Sequence, residues 1–76
     1  MNCNRRKQIE TIIRALRCLN DDIEHVMDEE QDSLDNLPES LQESEKAEKM
    51  SECIDYLDDA MGSINECIEN LLSAQE

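Results

Sequence analysis

The chain has 76 residues and a formal net charge of −13 at pH 7, with one glycine, one proline and one aromatic residue. A chain this short forms one small domain at most and buries only about 60% of its unfolded surface, so its core is marginal unless a metal, disulfides or a second copy adds to it. The composition favours helices over sheets, and a single glycine excludes a phosphate-binding loop.

The charge is distributed unevenly along the chain. Residues 1–20 carry five basic residues against one carboxylate, a balance of +4, whereas residues 21–76 carry two lysines against 19 carboxylates, a balance of −17. Most of the surface should therefore repel nucleic acid and anionic lipid. No apolar run approaches the ~20 residues of a membrane-spanning helix, and the N-terminus has no signal-peptide core. We expect a cytoplasmic protein that binds neither nucleic acid nor a membrane directly.

The first predicted helix covers residues 5 to about 34, where apolar residues recur at steps of three and four. We assign its inward a and d positions to Ile9, Ile12, Leu16, Leu19, Ile23 and Val26. Two further apolar residues, Ile13 and Met27, widen this stripe.

The only break in the helical pattern is predicted at residues 35–38. Leu37 precedes a proline and is biased away from helical angles, while Pro38 suits the first turn of a new helix. We therefore expect the second helix to cover residues 38–74, with Ser40 and Glu43 as a capping box. Leu34, Leu37 and Leu41 should fold over the turn.

The second predicted helix repeats a seven-residue unit three times. Its a positions are Ile54, Met61 and Ile68, its d positions include Leu57, Ile64 and Leu71, and its g positions are all small: Cys53, Ala60, Cys67 and Ala74. Apolar a and d residues at a period of 3.5 are typical of a helix packed on other helices, and the added g column is wider than one partner helix can cover.

Together these patterns predict an all-α fold in which residues 1–76 form a single antiparallel helical hairpin. Folding about residues 36–37 pairs position i with about 73 − i, so that Ile9 meets Ile64 and Leu16 meets Leu57. The same register places Arg14 near Asp58 and Asp59, and Arg5 and Arg6 near Glu66 and Glu69. The surplus apolar columns predict a homodimer that forms a four-helix bundle, with an interface made of Ile13, Cys53, Ala60, Met61, Ile64, Cys67 and Ala74.

The four cysteines and the histidine give little support to a metal site or disulfides. Cys3, Cys18, Cys53 and Cys67 form no Cys-x-x-Cys pair, and two heptads separate Cys53 from Cys67, roughly 21 Å along a helix. The simplest interpretation is that the cysteines are small buried apolar residues. Asp22-x-x-His25 does not fit the motif of a carboxylate-bridged di-metal site. A calcium loop starting at Asp28 does not fit either, because it would have Ser33 where it needs glycine. We expect no cofactor, no metal and no enzymatic activity.

The outward face of the second helix is acidic and contains the only aromatic residue. We expect it to be a solvated surface, or else a partner-binding face made of Asp55, Tyr56, Asp58, Asp59, Glu66 and Glu69. In the second case its carboxylates would imitate a nucleic-acid backbone and bind a basic nucleic-acid-binding protein, such as a nuclease or another defence protein. The first expectation is a non-enzymatic protein-interaction module, and the nucleic-acid mimic is its alternative.

The turn sequence carries a resemblance to a known family. Residues 35–45, Asp-Asn-Leu-Pro-Glu-Ser-Leu-Gln-Glu-Ser-Glu, followed by Ile-x-x-Leu-Asp/Glu-x-Ala units, resemble a family of short uncharacterised acidic helical proteins from phages and mobile elements of Gram-positive bacteria. The resemblance covers roughly residues 5–76. The chain departs from the family pattern at residues 61–63 and has Cys53 and Cys67 where members carry alanine. The resemblance implies a helical hairpin and a mobile-element setting, and it carries over no catalytic residue.

Overall fold

The computed structural model describes residues 2–76 as two long helices joined by a short connection. Helix α1 spans Cys3–Asp35 and helix α2 spans Glu45–Ala74, with a single 3₁₀ turn at Glu39–Leu41 between them. The helices run antiparallel, because the Gln75 side chain near the end of α2 donates to the Arg6 carbonyl oxygen near the start of α1. The all-α hairpin expected from the sequence is confirmed. It is a narrow rod, 59 × 15 × 11 Å across its Cα atoms.

Helix α1 begins two residues before the predicted start. The Oδ1 atom of Asn2 accepts a hydrogen bond of 2.8 Å from the backbone N–H of Arg5, which satisfies one of the free donors of the first turn. Asn2 is therefore the N-cap of α1, and Cys3 and Asn4 belong to the helix.

The connection between the helices is longer than predicted, because Pro38 does not start α2. Its backbone is extended, with φ −57° and ψ 147°. The side-chain amide of Gln42 donates to the carbonyl oxygens of Leu37 at 2.8 Å and Leu34 at 3.2 Å, and these bonds hold the connection against the end of α1. Of the three leucines expected to cover the turn, Leu34 and Leu37 are half-buried whereas Leu41 is exposed.

Helix α2 begins at Glu45, seven residues after the predicted start at 38. Its N-cap is Ser44, whose hydroxyl oxygen accepts a hydrogen bond of 3.3 Å from the N–H of Ala47. Glu45 and Glu48 lie in the first turn, where carboxylates favour the positive end of the helix dipole. The predicted capping box of Ser40 and Glu43 is therefore wrong. Ser44, followed by acidic residues, was the signal that marked the true start.

The seam between the helices follows the predicted heptads on α2 but not on α1. On α2 the a and d residues face α1 as expected. On α1 the inward positions alternate by four and three residues in a set that includes Asn20 and Glu30: Ile9, Ile13, Leu16, Asn20, Ile23, Met27, Glu30 and Leu34. Ile12, Leu19 and Val26 are exposed, so their assignment to the seam is wrong. Helix α1 is rotated by about one residue, roughly 100°, from the predicted orientation.

The register along the seam is displaced by more than one heptad from the predicted one. Asn20 lies opposite Asn65, to whose Oδ1 atom its Nδ2 atom donates at 3.1 Å, whereas the predicted register placed Asn20 opposite Cys53. The pairings of Ile9 with Ile64 and of Leu16 with Leu57 are wrong for the same reason. The pairing of Asn20 with Asn65 puts the fold point between residues 42 and 43 instead of between 36 and 37, because the nine-residue connection is longer than the predicted turn.

The displaced register also removes the predicted ion pairs between the helices. Arg14 lies beside Leu72 and Gln75 rather than near Asp58 and Asp59. Within residues 2–76 the one salt bridge joins the Lys49 Nζ and Glu45 Oε1 atoms at 3.7 Å inside α2, and both side chains are exposed. An exposed pair of this kind contributes only about 0.3–0.5 kcal/mol.

The hairpin buries few side chains completely. Among residues 2–76 only Ile13, Ala47 and Ile68 are buried, with 3%, 4% and 6% of their surface exposed. The other seam residues are only partly covered, because a pair of helices has no third element to cover the edges of the seam. Stability of the hairpin therefore rests on a single layer of contacts.

Candidate protein-interaction face

One face of the hairpin carries large aliphatic side chains that the rest of residues 2–76 leaves about half exposed. Ile12 is 48% exposed, and Leu19 and Val26 are each 53% exposed. They are spaced by seven residues, so they form one column along α1 beside the seam. Asn20 occupies the seam while Leu19 next to it lies outside, which is the reverse of what burial of apolar surface in a lone hairpin favours.

The small column of α2 lies on the same face. Leu19 and Val26 line a groove together with Asp22 and Ile23 of α1 and with Leu57 and Ile64 of α2. Cys53, Ala60 and Cys67 each lie one helical turn from Leu57 or Ile64 on the groove side of α2. We define the open face as the two columns that flank this groove: Ile12, Leu19 and Val26 of α1 with Cys53, Ala60, Cys67 and Ala74 of α2. All seven residues are exposed in the single chain.

The other predicted interface residues belong to the seam inside the hairpin. Ile13 is 3% exposed and packs between the helices, so the prediction that it lacks a partner within the chain is wrong. Met61 and Ile64 are half-buried in the same seam, and Ile64 also lines the groove. In place of Ile13, the open face has the column of Ile12, Leu19 and Val26, which the heptad pattern predicts to lie inside.

The opposite face of the hairpin is polar. There Glu10, Arg14 and Arg17 of α1 lie beside Leu72 and Gln75 of α2. The Asn20–Asn65 hydrogen bond lies on this side of the seam, since Asn65 is one residue from Ile64 on the side away from the groove. The hairpin is therefore amphipathic across its width: the face with Ile12, Leu19 and Val26 is apolar, whereas the opposite face is mostly polar and exposes one large apolar residue, Leu72.

The predicted partner-binding residues all lie on the surface of α2. Asp55, Asp58, Asp59, Glu66 and Glu69 are exposed, and Tyr56 is 73% exposed. Their exposure agrees with the predicted outward face. A role for them in binding a partner stays a prediction.

The charges of the hairpin are segregated towards its two ends. The half of the rod that contains the connection, residues 21–63, carries 16 carboxylates and two lysines, a net −14. The half that contains both termini, residues 2–20 and 64–76, carries five basic residues and four carboxylates, a net +1. We call these halves the acidic end and the terminal end.

This segregation opposes the dipole of α1. The first turn of α1 contains no acidic residue and is followed by Lys7, and its last turn contains no basic residue but includes Asp32 and Asp35. A charge of the favourable sign at a helix end contributes about 0.3–1 kcal/mol, so charges of the opposite sign cost α1 a similar amount. The stability of α1 alone does not account for this arrangement.

The cysteines and acidic residues form no metal site among residues 2–76, where no group of three or more metal-ligating side chains comes together. Residues 28–35, which a calcium loop would need outside helical conformation, belong to α1. All four cysteines are free and exposed, so the expectation that they are buried is wrong for the single hairpin. Cys53 and Cys67 lie on the open face.

Neither long helix of residues 2–76 contains a stretch apolar enough to cross a lipid bilayer.

Comparison of the chain with protein-family models, curated proteins and solved structures gives no significant match.

Proposed function

We propose that the protein is a non-enzymatic interaction module that works as a homodimer, with two hairpins stacked through their open faces into an acidic four-helix bundle. The observation that carries the proposal is the column of Ile12, Leu19 and Val26, each about half exposed beside an apolar groove. A second copy stacked on this face would cover the column, the groove and the small residues of α2 together.

The size of the open face is adequate for a dimer. Its ends are marked by Cys53 and Ala74, which are 21 residues apart on α2, about 30 Å. Two adjacent helices are about 20 Å wide, so each copy would bury on the order of 600 Å² and the pair roughly 1,200 Å². That total lies at the lower limit for stable, specific interfaces. The small side chains of α2 let a second backbone approach closely, which increases the contact per unit of area.

Sedimentation equilibrium on three chains at micromolar concentration tests the proposal. The wild type should have twice the 8.8 kDa mass of one chain. Leu19→Asp places a charge on the open face and should give a monomer that keeps its helical circular dichroism, since Leu19 is already half exposed in the hairpin. The matched control is Leu72→Asp, which makes the same change at a leucine that is 42% exposed on the opposite face of the hairpin, and it should remain dimeric. A well-folded wild-type monomer would contradict the proposal.

The alternative function, an acidic mimic of nucleic acid, is favoured by the charge density of the rod. A charge of −13 over 59 Å is about one charge per 4.5 Å, and two copies stacked side by side would have about one per 2.3 Å. Duplex DNA carries about one per 1.7 Å. A dimer would therefore approach the linear charge density of the duplex.

Competition for a basic partner distinguishes this alternative. A mimic should displace labelled duplex DNA from a nuclease or other DNA-binding protein, and the displacement should weaken as salt is raised. A variant with Asp55→Asn, Asp59→Asn, Glu66→Gln and Glu69→Gln keeps the shape of the surface and should lose the activity. Displacement that is equal for both chains, or absent at low salt, would exclude the mimic.

The setting of the proposed module is an accessory role in a phage or mobile element, in the cytoplasm of a bacterial host. This part of the proposal is supported by the resemblance of the turn at residues 35–45 and by the absence, in residues 2–76, of a helix able to span a membrane.

A further inference from the structure

The proposed dimer can be assembled in two orientations, and the charges of the hairpin distinguish them. In the first, two rods stack with their connections at the same end. In the second, one rod is reversed, so that the connection of each lies over the termini of the other. Both orientations overlay the open faces, because Leu19 and the middle of the α2 column, between Ala60 and Cys67, lie near the midpoint of the rod.

We infer that the second copy binds reversed, with the acidic end of each hairpin over the terminal end of its partner. This inference rests on the proposed dimer. Stacking with connections together would hold a net −14 against another −14, whereas reversal holds each −14 against +1. The stacked helices would be about 10 Å apart, comparable to the Debye length of about 8–10 Å at physiological salt, so the difference is only partly screened.

The charges at the ends of α1 support the same orientation. Reversal about a two-fold axis across the rods places α1 over the α1 of the second copy, running antiparallel to it. Arg5, Arg6 and Lys7 of each copy then lie over the end of the second copy's α1 that carries Asp32 and Asp35. This contact occurs twice, once at each end of the dimer. The charges that oppose the dipole within α1 are thereby matched by charges of opposite sign from the second copy.

In the same orientation, each column of the open face packs against the identical column of the second copy. The α2 helices also meet antiparallel, so their small columns face each other and the backbones can come close. The aliphatic columns Ile12, Leu19 and Val26 of the two α1 helices form the other half of the contact. Leu19 of each copy lies next to the two-fold axis.

Distances between spin labels on single cysteines test the orientation. One variant keeps only Cys3, with Cys18, Cys53 and Cys67 replaced by serine; a second replaces all four and adds Ser40→Cys. Cys3 and Ser40 are exposed and lie at opposite ends of the rod. In the reversed dimer each label pair should be roughly 50 Å apart, close to the length of the rod, because the two identical sites lie at opposite ends.

The possible results separate the orientation from the dimer itself. Label pairs within roughly 30 Å at both sites, in a sample of twice the single-chain mass, would overturn the reversed orientation while leaving the dimer. No coupling between labels, together with a single-chain mass, would overturn both. A mixture of the Cys3 and Ser40→Cys variants, labelled with a donor and an acceptor dye, should transfer energy efficiently in the reversed dimer, and absence of transfer in a confirmed dimer would overturn the orientation.

Discussion

The Nδ2 atom of Asn20 donates a hydrogen bond of 3.1 Å to Oδ1 of Asn65 across the seam, and this is a direct polar contact between the middles of α1 and α2. The Oδ1 atom of Asn20 is the one buried side-chain polar atom within residues 2–76 that lacks a partner in the chain. A single polar residue at a seam position specifies register at a cost in stability, because any shifted register leaves it without a partner.

Replacing Asn20 by leucine should therefore stabilise the helices and weaken the choice of register. The Asn20→Leu chain should unfold at a higher denaturant concentration, while its NMR spectrum shows more than one set of amide signals. Asn65→Ala removes the acceptor and should lower the free energy of unfolding by about 1 kcal/mol. If Asn20→Leu keeps a single set of signals, the hydrogen bond does not set the register.

The N-cap of α2 should contribute measurably to stability. Ser44→Ala removes the hydroxyl that accepts from the N–H of Ala47, and we expect a loss of about 1 kcal/mol in urea unfolding monitored by circular dichroism. Ser51→Ala is the control, since Ser51 is exposed inside α2, where alanine is the better helix former. Equal destabilisation by the two changes would show that capping by Ser44 contributes nothing.

Gly62 is a site where stability can be gained. It lies inside α2, and a Cβ atom added there would meet no other atom within 4 Å. Gly62→Ala should raise the free energy of unfolding by about 1 kcal/mol, which corresponds to roughly 4–8 °C in Tm for a chain of this size. Gly62 lies outside the open face, so the mass in solution should not change. A lower Tm would mean that the site is covered in the native assembly.

Salt should strengthen the proposed dimer. Two chains of net charge −13 repel each other overall, and raising ionic strength from about 0.01 M to about 1 M shortens the Debye length from about 30 Å to about 3 Å. The dissociation constant from sedimentation equilibrium should therefore fall as sodium chloride is added. A dissociation constant that rises instead would show that attraction between opposite charges dominates the interface.

The sequence predicted the helical hairpin and the inward face of α2, but two features escaped it. On α1, the residues Ile9, Leu16 and Ile23 are shared by two candidate stripes, one completed by Ile12 and Leu19 and the other by Ile13 and Asn20. Hydrophobicity favours the first stripe, and the structure has the second. Assigning the more apolar stripe to the interior of one chain gives the wrong seam when the chain keeps a second apolar face exposed.

The second feature is the start of α2, which local propensity placed at Pro38. Proline is acceptable at the first position of a helix, but nothing in the sequence alone indicates that the Gln42 side chain will hold residues 36–44 outside a long helix. The true N-cap, Ser44, could be predicted from the sequence, because this serine precedes acidic residues. Because the register depends on the length of the connection, this one error displaced every predicted pair and the ion pairs with them.

The elongated shape affects how the mass of the protein is measured. Its Cα radius of gyration is 17.4 Å, whereas a compact domain of 76 residues has about 11 Å. A lone hairpin will therefore leave a size-exclusion column ahead of globular standards of 8.8 kDa, and its elution volume alone will resemble that of a heavier particle. Two rods stacked side by side form a particle that is thicker but no longer than one rod. Association will therefore double the mass while changing the elution volume comparatively little.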